Sequence, residues 1–165
     1  MGNKRQIWFV YAGMGSQWCG MVSDFMKFPV FANAINKCVE ILQPKGVDLM
    51  HILTTSDKNI FDNILHSFVG IAAIQIGLTD VLRAIGIVPD GIIGHSVGEL
   101  GCAYADGCMT AEEMILAAYS RGRASIEANL IRGMMAAIGT HKPTNFTIFR
   151  DHTNDFRNGV QPNQG

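Results

Sequence analysis

The sequence carries little charge of either sign. Of its 165 residues, 13 are Lys or Arg and 14 are Asp or Glu, which leaves a formal net charge of -1. The longest basic run is Lys4-Arg5, so the sequence predicts no cationic surface for nucleic acid or for an acidic membrane. We also expect no membrane-spanning segment. These absences favour a cytoplasmic protein that binds neither nucleic acid nor membrane.

Cysteine is scarce and unpatterned. The four cysteines form no CxxC pair and have no histidine at zinc-ligand spacing; they are Cys19, Cys38, Cys102 and Cys108. The pattern therefore indicates reduced thiols and predicts neither a redox motif nor a metal site.

Hydrophobic residues make up 48% of the chain, enough for one globular core. The stretch "QIWFVYAG" is apolar on both faces, as in a buried parallel strand, and ends in the glycine-rich loop "GMGSQ". Apolar residues recur every three or four positions from Phe31 to Leu42, which predicts an amphipathic helix. The same spacing from Ile60 to Ile85 predicts one long helix or two stacked ones.

The stretch "GIIGHSVGEL" holds a Gly-x-Ser-x-Gly pattern at Gly94, Ser96 and Gly98. A short β-branched strand precedes it, and a helix rich in small residues follows and ends at Gly107. A serine on a sharp strand-to-helix turn is raised above the sheet, where its hydroxyl can meet a substrate. We therefore predict that Ser96 is a nucleophile.

The last part of the chain predicts one more helix and one more strand, followed by a polar tail. Thr110 and Glu113 form a capping box that opens a further helix, and a strand follows from Gly133 to Gly139. Alternating strands and helices predict an α/β fold with a parallel sheet flanked by helices on both faces. Residues 140–165 are polar and aperiodic, which predicts a disordered tail.

Three motifs in this order, "GMGSQW", "GHSVGE" and "AAYSRGRA", resemble the malonyl/acetyl-CoA acyltransferase domain of fatty acid synthases and polyketide synthases, and most closely that of animal fatty acid synthase. The resemblance covers residues 6–139. It implies the α/β-hydrolase-like large subdomain of that fold. It also implies transfer of malonyl or acetyl groups from CoA to the phosphopantetheine of an acyl carrier protein, through an acyl-serine intermediate in fatty acid biosynthesis and with no bound cofactor.

The resemblance also implies roles for individual residues. Ser96 matches the acyl-accepting serine, and the backbone N–H groups of Met14 and Val97 match the oxyanion hole. Arg121 matches an arginine that pairs with the free carboxylate of malonyl groups, although a helical arginine beside Arg123 can equally serve as a helix cap. Two further residues match the family's pocket: His95 and Gln17.

The resemblance stops at Gly139, before the small ferredoxin-like subdomain and the returning segment that carries the family's catalytic histidine. We therefore expect a truncated, weakly active or inactive fragment. The other histidines lack the context of that base; they are His51, His66, His141 and His152.

Two other functions remain open. A serine esterase of α/β-hydrolase type would need an acid and a histidine after Ser96, for which the tail offers Asp151, His152 and Asp155. A partial domain that binds acyl-CoA or a carrier protein without turnover is the non-catalytic alternative.

Overall fold

The protein is described by a computed structural model, which covers residues 5–128 and the backbone of two strands, 134–138 and 146–150. The chain separates into two compact units, Met1–Leu130 and Ile131–Gly165. Each unit is described by itself.

A parallel pair of strands organises the first unit. Strand β1 (Trp8–Tyr11) pairs with β2 (Gly91–Gly94) from Trp8 opposite Gly91 to Tyr11 opposite Gly94. The long excursion between the two strands lets them run in the same direction and end at the same edge. This pairing confirms the predicted parallel α/β fold.

Within residues 5–128, five α-helices accompany the strand pair, with short 3₁₀ turns at Gln43–Lys45 and Ile60–Asp62. The predicted helices are confirmed with small shifts at their ends. The segment from Ile60 to Ile85 forms one long helix preceded by the second 3₁₀ turn. The helices are α1 (Pro29–Leu42), α2 (Leu49–Thr54), α3 (Ile64–Ala84), α4 (Gly98–Asp106) and α5 (Ala111–Glu127).

Helix α3 is the centre of the core. Its residues are buried on most sides, and Phe31 of α1 packs so closely on Gly77 that an added Cβ would lie 2.6 Å from the phenyl ring. By length and composition this helix could cross a membrane, but a mostly buried core helix meets the same criteria, so the expectation of no membrane-spanning segment stays a prediction. Most of its apolar window is buried inside the protein, as expected for a core helix.

The two faces of β1 differ. Phe9 and Tyr11 are buried, and the Tyr11 hydroxyl lies 2.7 Å from the Thr79 hydroxyl of α3. Trp8 and Val10 point the other way and are 56% and 74% exposed. The prediction that β1 is buried on both faces is therefore wrong, because alternate side chains leave the strand on opposite sides and only one side meets the helices.

Helix α4 approaches the end of β1 more closely than any side chain would allow. A Cβ added to Gly98 would lie 2.1 Å from the Tyr11 carbonyl oxygen. Helix α5 then begins with the predicted capping box, in which Thr110 Oγ1 accepts a hydrogen bond from Glu113 N at 3.2 Å and Glu113 accepts one from Thr110 N at 2.8 Å.

The second unit contains an antiparallel pair. Strand β3 (Met134–Ile138) pairs with β4 (Phe146–Arg150), with Met134 opposite Arg150 and Ile138 opposite Phe146. The predicted strand at 133–139 is present, but its partner is antiparallel. The partner falls within the segment expected to be disordered, so that expectation is wrong for residues 146–150, whose weak alternation does not predict a strand. The rest of 140–165 lies outside the described residues.

We expect Gly98→Ala to lower the free energy of unfolding by about 3 kcal/mol, because the new methyl group must push α4 away from the Tyr11 carbonyl. Urea titration followed by circular dichroism measures this change. Glu99→Ala, at the next and exposed position of the helix, is the control and should change stability by less than about 0.5 kcal/mol. Equal stability of Gly98→Ala and the parent chain would contradict the observed packing.

Candidate active site

Ser96 lies in the turn between β2 and α4. Its φ of 55° is the one positive value of a residue other than glycine within the described residues. A serine is sterically strained in this left-handed conformation, and such strain is typical of functional turns. The Ser96 side chain is exposed, and its hydroxyl has no hydrogen-bond partner within residues 5–128. The predicted strand, turn and helix are thus confirmed, and the hydroxyl is free to meet a substrate.

Backbone hydrogen bonds hold the turn in place. His95 N donates to Tyr11 O of β1 at 3.0 Å, and Gly98 N donates to His95 O at 2.9 Å. Gly94 has no room for a side chain, since an added Cβ would lie 2.5 Å from Cys102 Sγ and 2.7 Å from Gly98 O. The glycine spacing of the motif therefore reflects two close backbone contacts.

The glycine-rich loop after β1 packs directly against the Ser96 turn. A Cβ added to Gly13 would lie 2.7 Å from His95 O and 3.1 Å from Ser96 Cβ. The Ser16 hydroxyl closes the loop by donating to Gly13 O at 2.8 Å. Two motifs that are far apart in sequence thus form one site.

Gln17 ties this loop to helix α3. Its Oε1 accepts a hydrogen bond from Gly15 N at 2.8 Å, and its Nε2 donates to Ser67 Oγ at 3.3 Å. Ser67 in turn donates to Phe61 O at 2.8 Å. Gln17 therefore contacts the loop and the start of α3, and its predicted place in a substrate pocket stays a prediction.

Two backbone amides next to the Ser96 turn and in the glycine-rich loop have no hydrogen-bond acceptor within residues 5–128. Neither Met14 N nor Val97 N donates a hydrogen bond to a residue in the range 5–128. Met14 follows Gly13 in the loop, and Val97 is the N-cap of α4, where the helix dipole favours negative charge. The assignment of these two amides to an oxyanion hole stays a prediction.

Arg121 lies on helix α5 near the start of α3. Its exposed guanidinium lies over the Phe68 ring at 5.6 Å from the ring centroid, and the neighbouring Gly122 packs against Leu65. Phe68 follows Ser67, the partner of Gln17, so contacts run from the loop through α3 to the arginine. The helical spacing from Ile60 to Ile85 does not distinguish Phe68 from the other core residues of α3, and Phe68 is itself buried in the core.

The remaining reactive groups near the turn are poor alternatives to Ser96. Burial and the Glu99 carboxylate raise the pKa of the Cys102 thiol, which keeps it protonated at neutral pH. His95 is exposed and places its ring beside Gly13. Within the described part of the chain, no group of three His, Cys, Asp or Glu side chains could hold a metal ion.

The other histidines divide into two sets. His66 Nδ1 lies 2.9 Å from Ile60 O, and His51 is in α2, where its backbone N–H donates to Asp48. The tail residues considered as substitute bases or as esterase partners lie outside the described residues; they are His141, His152, Asp151 and Asp155.

Comparison with known proteins supplies the family. Residues 8–154 match the family model of the acyl transferase domain. The chain is 37% identical over 146 residues to the highly reducing polyketide synthase tstA of Talaromyces stipitatus, covering 84% of this chain and 6% of the synthase. It is 36% identical over 136 residues to 6-methylsalicylic acid synthase of Aspergillus terreus, covering 82% of this chain and 7% of that protein. The match continues past Gly139, where the motif resemblance ends.

Solved structures show the same fold. MCAT from Streptococcus pneumoniae matches with a TM-score of 0.68 and 27% identity over 74% of this chain and 39% of that one. The acyltransferase domain of the second module of the salinomycin polyketide synthase matches with a TM-score of 0.70 and 26% identity over 81% of this chain and 30% of that one. A complex of the malonyl-transacylase PlMCAT with the acyl-carrier protein AntF matches with a TM-score of 0.71 and 23% identity over 80% of this chain and 42% of that one. The chain therefore spans less than half of each solved structure.

We expect Gly13→Ala to slow modification of Ser96 by a fluorophosphonate by about 10- to 100-fold, because the new methyl group displaces the loop from the turn. Intact-protein mass spectrometry over time measures the rate. Gly107→Ala is the control for a general loss of stability, because its φ of 83° strains the backbone at the C-terminal end of α4 while its added Cβ meets no atom within 4 Å. Unchanged modification in Gly13→Ala would show that the loop has no part in Ser96 reactivity.

Proposed function

We propose, from the premise that the chain belongs to the acyl transferase domain family, that Ser96 accepts a malonyl or acetyl group from CoA and passes it to an acyl carrier protein in fatty acid biosynthesis. The observation that carries this proposal is the contact between Gly13 and the strained, exposed Ser96 turn. That contact brings the proposed nucleophile and the glycine-rich loop together.

The reaction would proceed in two halves. Ser96 Oγ attacks the thioester carbonyl carbon, its proton leaves to a base, and the carbon–sulfur bond breaks to release CoA as the thiol. The acyl-serine ester is then attacked by the phosphopantetheine thiol of the carrier protein, which restores the serine hydroxyl. The carrier protein is our proposed acceptor. This chain shares the fold of PlMCAT, a malonyl-transacylase solved in complex with the acyl-carrier protein AntF, which supports that proposal.

Each half passes through a tetrahedral oxyanion. We assign its stabilisation to the N–H groups of Met14 and Val97, which have no acceptor within residues 5–128. Because a backbone N–H does this work, the thioether of Met14 need not contact the oxyanion. The N-terminal end of α4 adds a favourable partial charge at the same place.

Removal of the serine proton is the weak step in this proposal. Within residues 5–128 the Ser96 hydroxyl contacts no base by a hydrogen bond. His95 precedes the serine in sequence, and we assign it to the pocket wall beside Gly13. General-base help contributes about 100- to 10,000-fold, so we propose that this chain acylates Ser96 slowly.

Arg121 is our proposed partner for the free carboxylate of a malonyl group. A guanidinium can bind a carboxylate with two parallel hydrogen bonds, and Arg121 has no ion pair with a described residue. The Phe68 ring supports one face of the guanidinium and leaves its edge open to a ligand. Acetyl groups lack the carboxylate and gain nothing from this contact.

A polyketide role is the second candidate. It is favoured by the relatives named above, which are polyketide synthases, whereas the motif pattern favours fatty acid synthase. The chemistry at Ser96 is the same in both, because the two roles differ in the carrier protein and in the acyl group.

We expect radiolabelled malonyl-CoA to label this chain at Ser96, about 100- to 10,000-fold more slowly than a malonyltransferase whose serine contacts a general base, because no residue in the range 5–128 contacts the Ser96 hydroxyl as a base. Peptide mapping by mass spectrometry locates the label. Ser96→Ala should abolish it, and Ser23→Ala, at another exposed serine, should leave it unchanged. Labelling that survives Ser96→Ala would refute the acyl-serine proposal.

We expect Arg121→Ala to slow labelling by malonyl-CoA by about tenfold or more and to leave labelling by acetyl-CoA unchanged, because only malonyl carries the carboxylate. Arg123→Ala is the matched control, since Arg123 pairs with Glu127 on the same helix. An equal loss with both thioesters would assign Arg121 a structural role.

A further inference from the structure

The side chain of Gln75 on helix α3 contacts the backbone at the end of β1. Gln75 is nine-tenths buried, and its Nε2 donates a hydrogen bond to Ala12 O at 2.7 Å. Ala12 lies between β1 and Gly13, the glycine that touches Ser96. The amide thus holds the residue from which the glycine-rich loop departs.

The other half of the Gln75 amide has no partner. Its Oε1 is buried without a hydrogen bond within the described chain and faces Gly101, where an added Cβ would lie 2.7 Å away. A buried, unpaired amide oxygen destabilises a fold, and an apolar side chain of the same length would fill this space without that penalty. Core packing alone therefore does not account for a glutamine at this position.

The hydrogen bonds of Thr79, the neighbouring polar residue of α3, differ in their targets from the hydrogen bond of Gln75. One turn later, Thr79 donates to the backbone oxygen of Gln75 at 2.7 Å and meets the Tyr11 hydroxyl. Thr79 therefore fixes the side chain of the last β1 residue, whereas Gln75 fixes the backbone of the first loop residue. Of these two α3 residues, Gln75 is the one that holds the backbone from which the loop leaves the strand.

We propose that Gln75 is a positioning residue that sets the Gly13–Met14 backbone against the Ser96 turn. Met14 N is two residues from the restrained carbonyl, so a shift of Ala12 O moves this N–H relative to Ser96. The effect on acyl transfer rests on the proposed function, whereas the restraint on the loop does not.

The test uses the full chain with Gln75→Met, which keeps the length of the side chain and removes the donor. Thr79→Val is the matched control, because it removes a buried hydroxyl from the same helix without touching Ala12. Hydrogen exchange of the peptide spanning residues 12–17 reports the loop. Single-turnover labelling by malonyl-CoA over a range of concentrations separates the maximal rate from substrate binding.

We expect exchange of the loop peptide to rise about tenfold in Gln75→Met and to stay unchanged in Thr79→Val. We expect the maximal labelling rate of Gln75→Met to fall about tenfold with an unchanged concentration for half-maximal labelling, which a general loss of stability would not produce. Unchanged loop exchange in Gln75→Met overturns the proposal whether or not Ser96 is acylated. Labelling independent of Ser96 refutes the proposed function alone, and the exchange measurement still decides the role of Gln75.

Discussion

The active-site geometry depends on backbone packing that leaves no space for side chains. The end of β1 and the start of α4 meet at Gly98, and the loop after β1 meets the Ser96 turn at Gly13. A Cβ at either glycine would fall within 2.7 Å of a carbonyl oxygen. Protein atoms do not approach this closely without displacement, so any larger residue would separate Ser96 from the loop.

This packing explains why Ser96 can hold a strained conformation. Its φ of 55° is unfavourable for a residue with a side chain. The cost is offset because neighbouring atoms are fixed on both sides, by His95 N on Tyr11 O and by Gly98 N on His95 O. The serine is thereby presented to solvent by the same bonds that join β1, β2 and α4.

Helix α3 acts as the scaffold for the rest of the site. Its first turns provide Ser67 for Gln17 and Phe68 for Arg121, and its middle provides Gln75 for Ala12. One rigid, buried helix can therefore position the loop and the proposed carboxylate partner together, because its own core packing fixes the spacing of the three side chains. In this chain the loop after β1 and Arg121 thus contact a common support.

The sequence by itself determined the local features of this protein. The glycine spacing around Ser96 required a turn, the periods of α1 and α3 specified helices, and the capping box marked where α5 begins. These features depend on residues a few positions apart, so the chain order is sufficient to predict them. The three motifs also indicated the family that the comparison established.

Only the tertiary structure decided which distant residues meet. The contact of Gly13 with Ser96, the stacking of Arg121 on Phe68 and the bond from Gln75 to Ala12 each join separate elements. The exposure of Trp8 and Val10 could not be predicted from the sequence, because an apolar strand has the same residue pattern whether one or both of its faces are covered. Periodicity reports which side of an element is apolar, whereas packing determines what lies against that side.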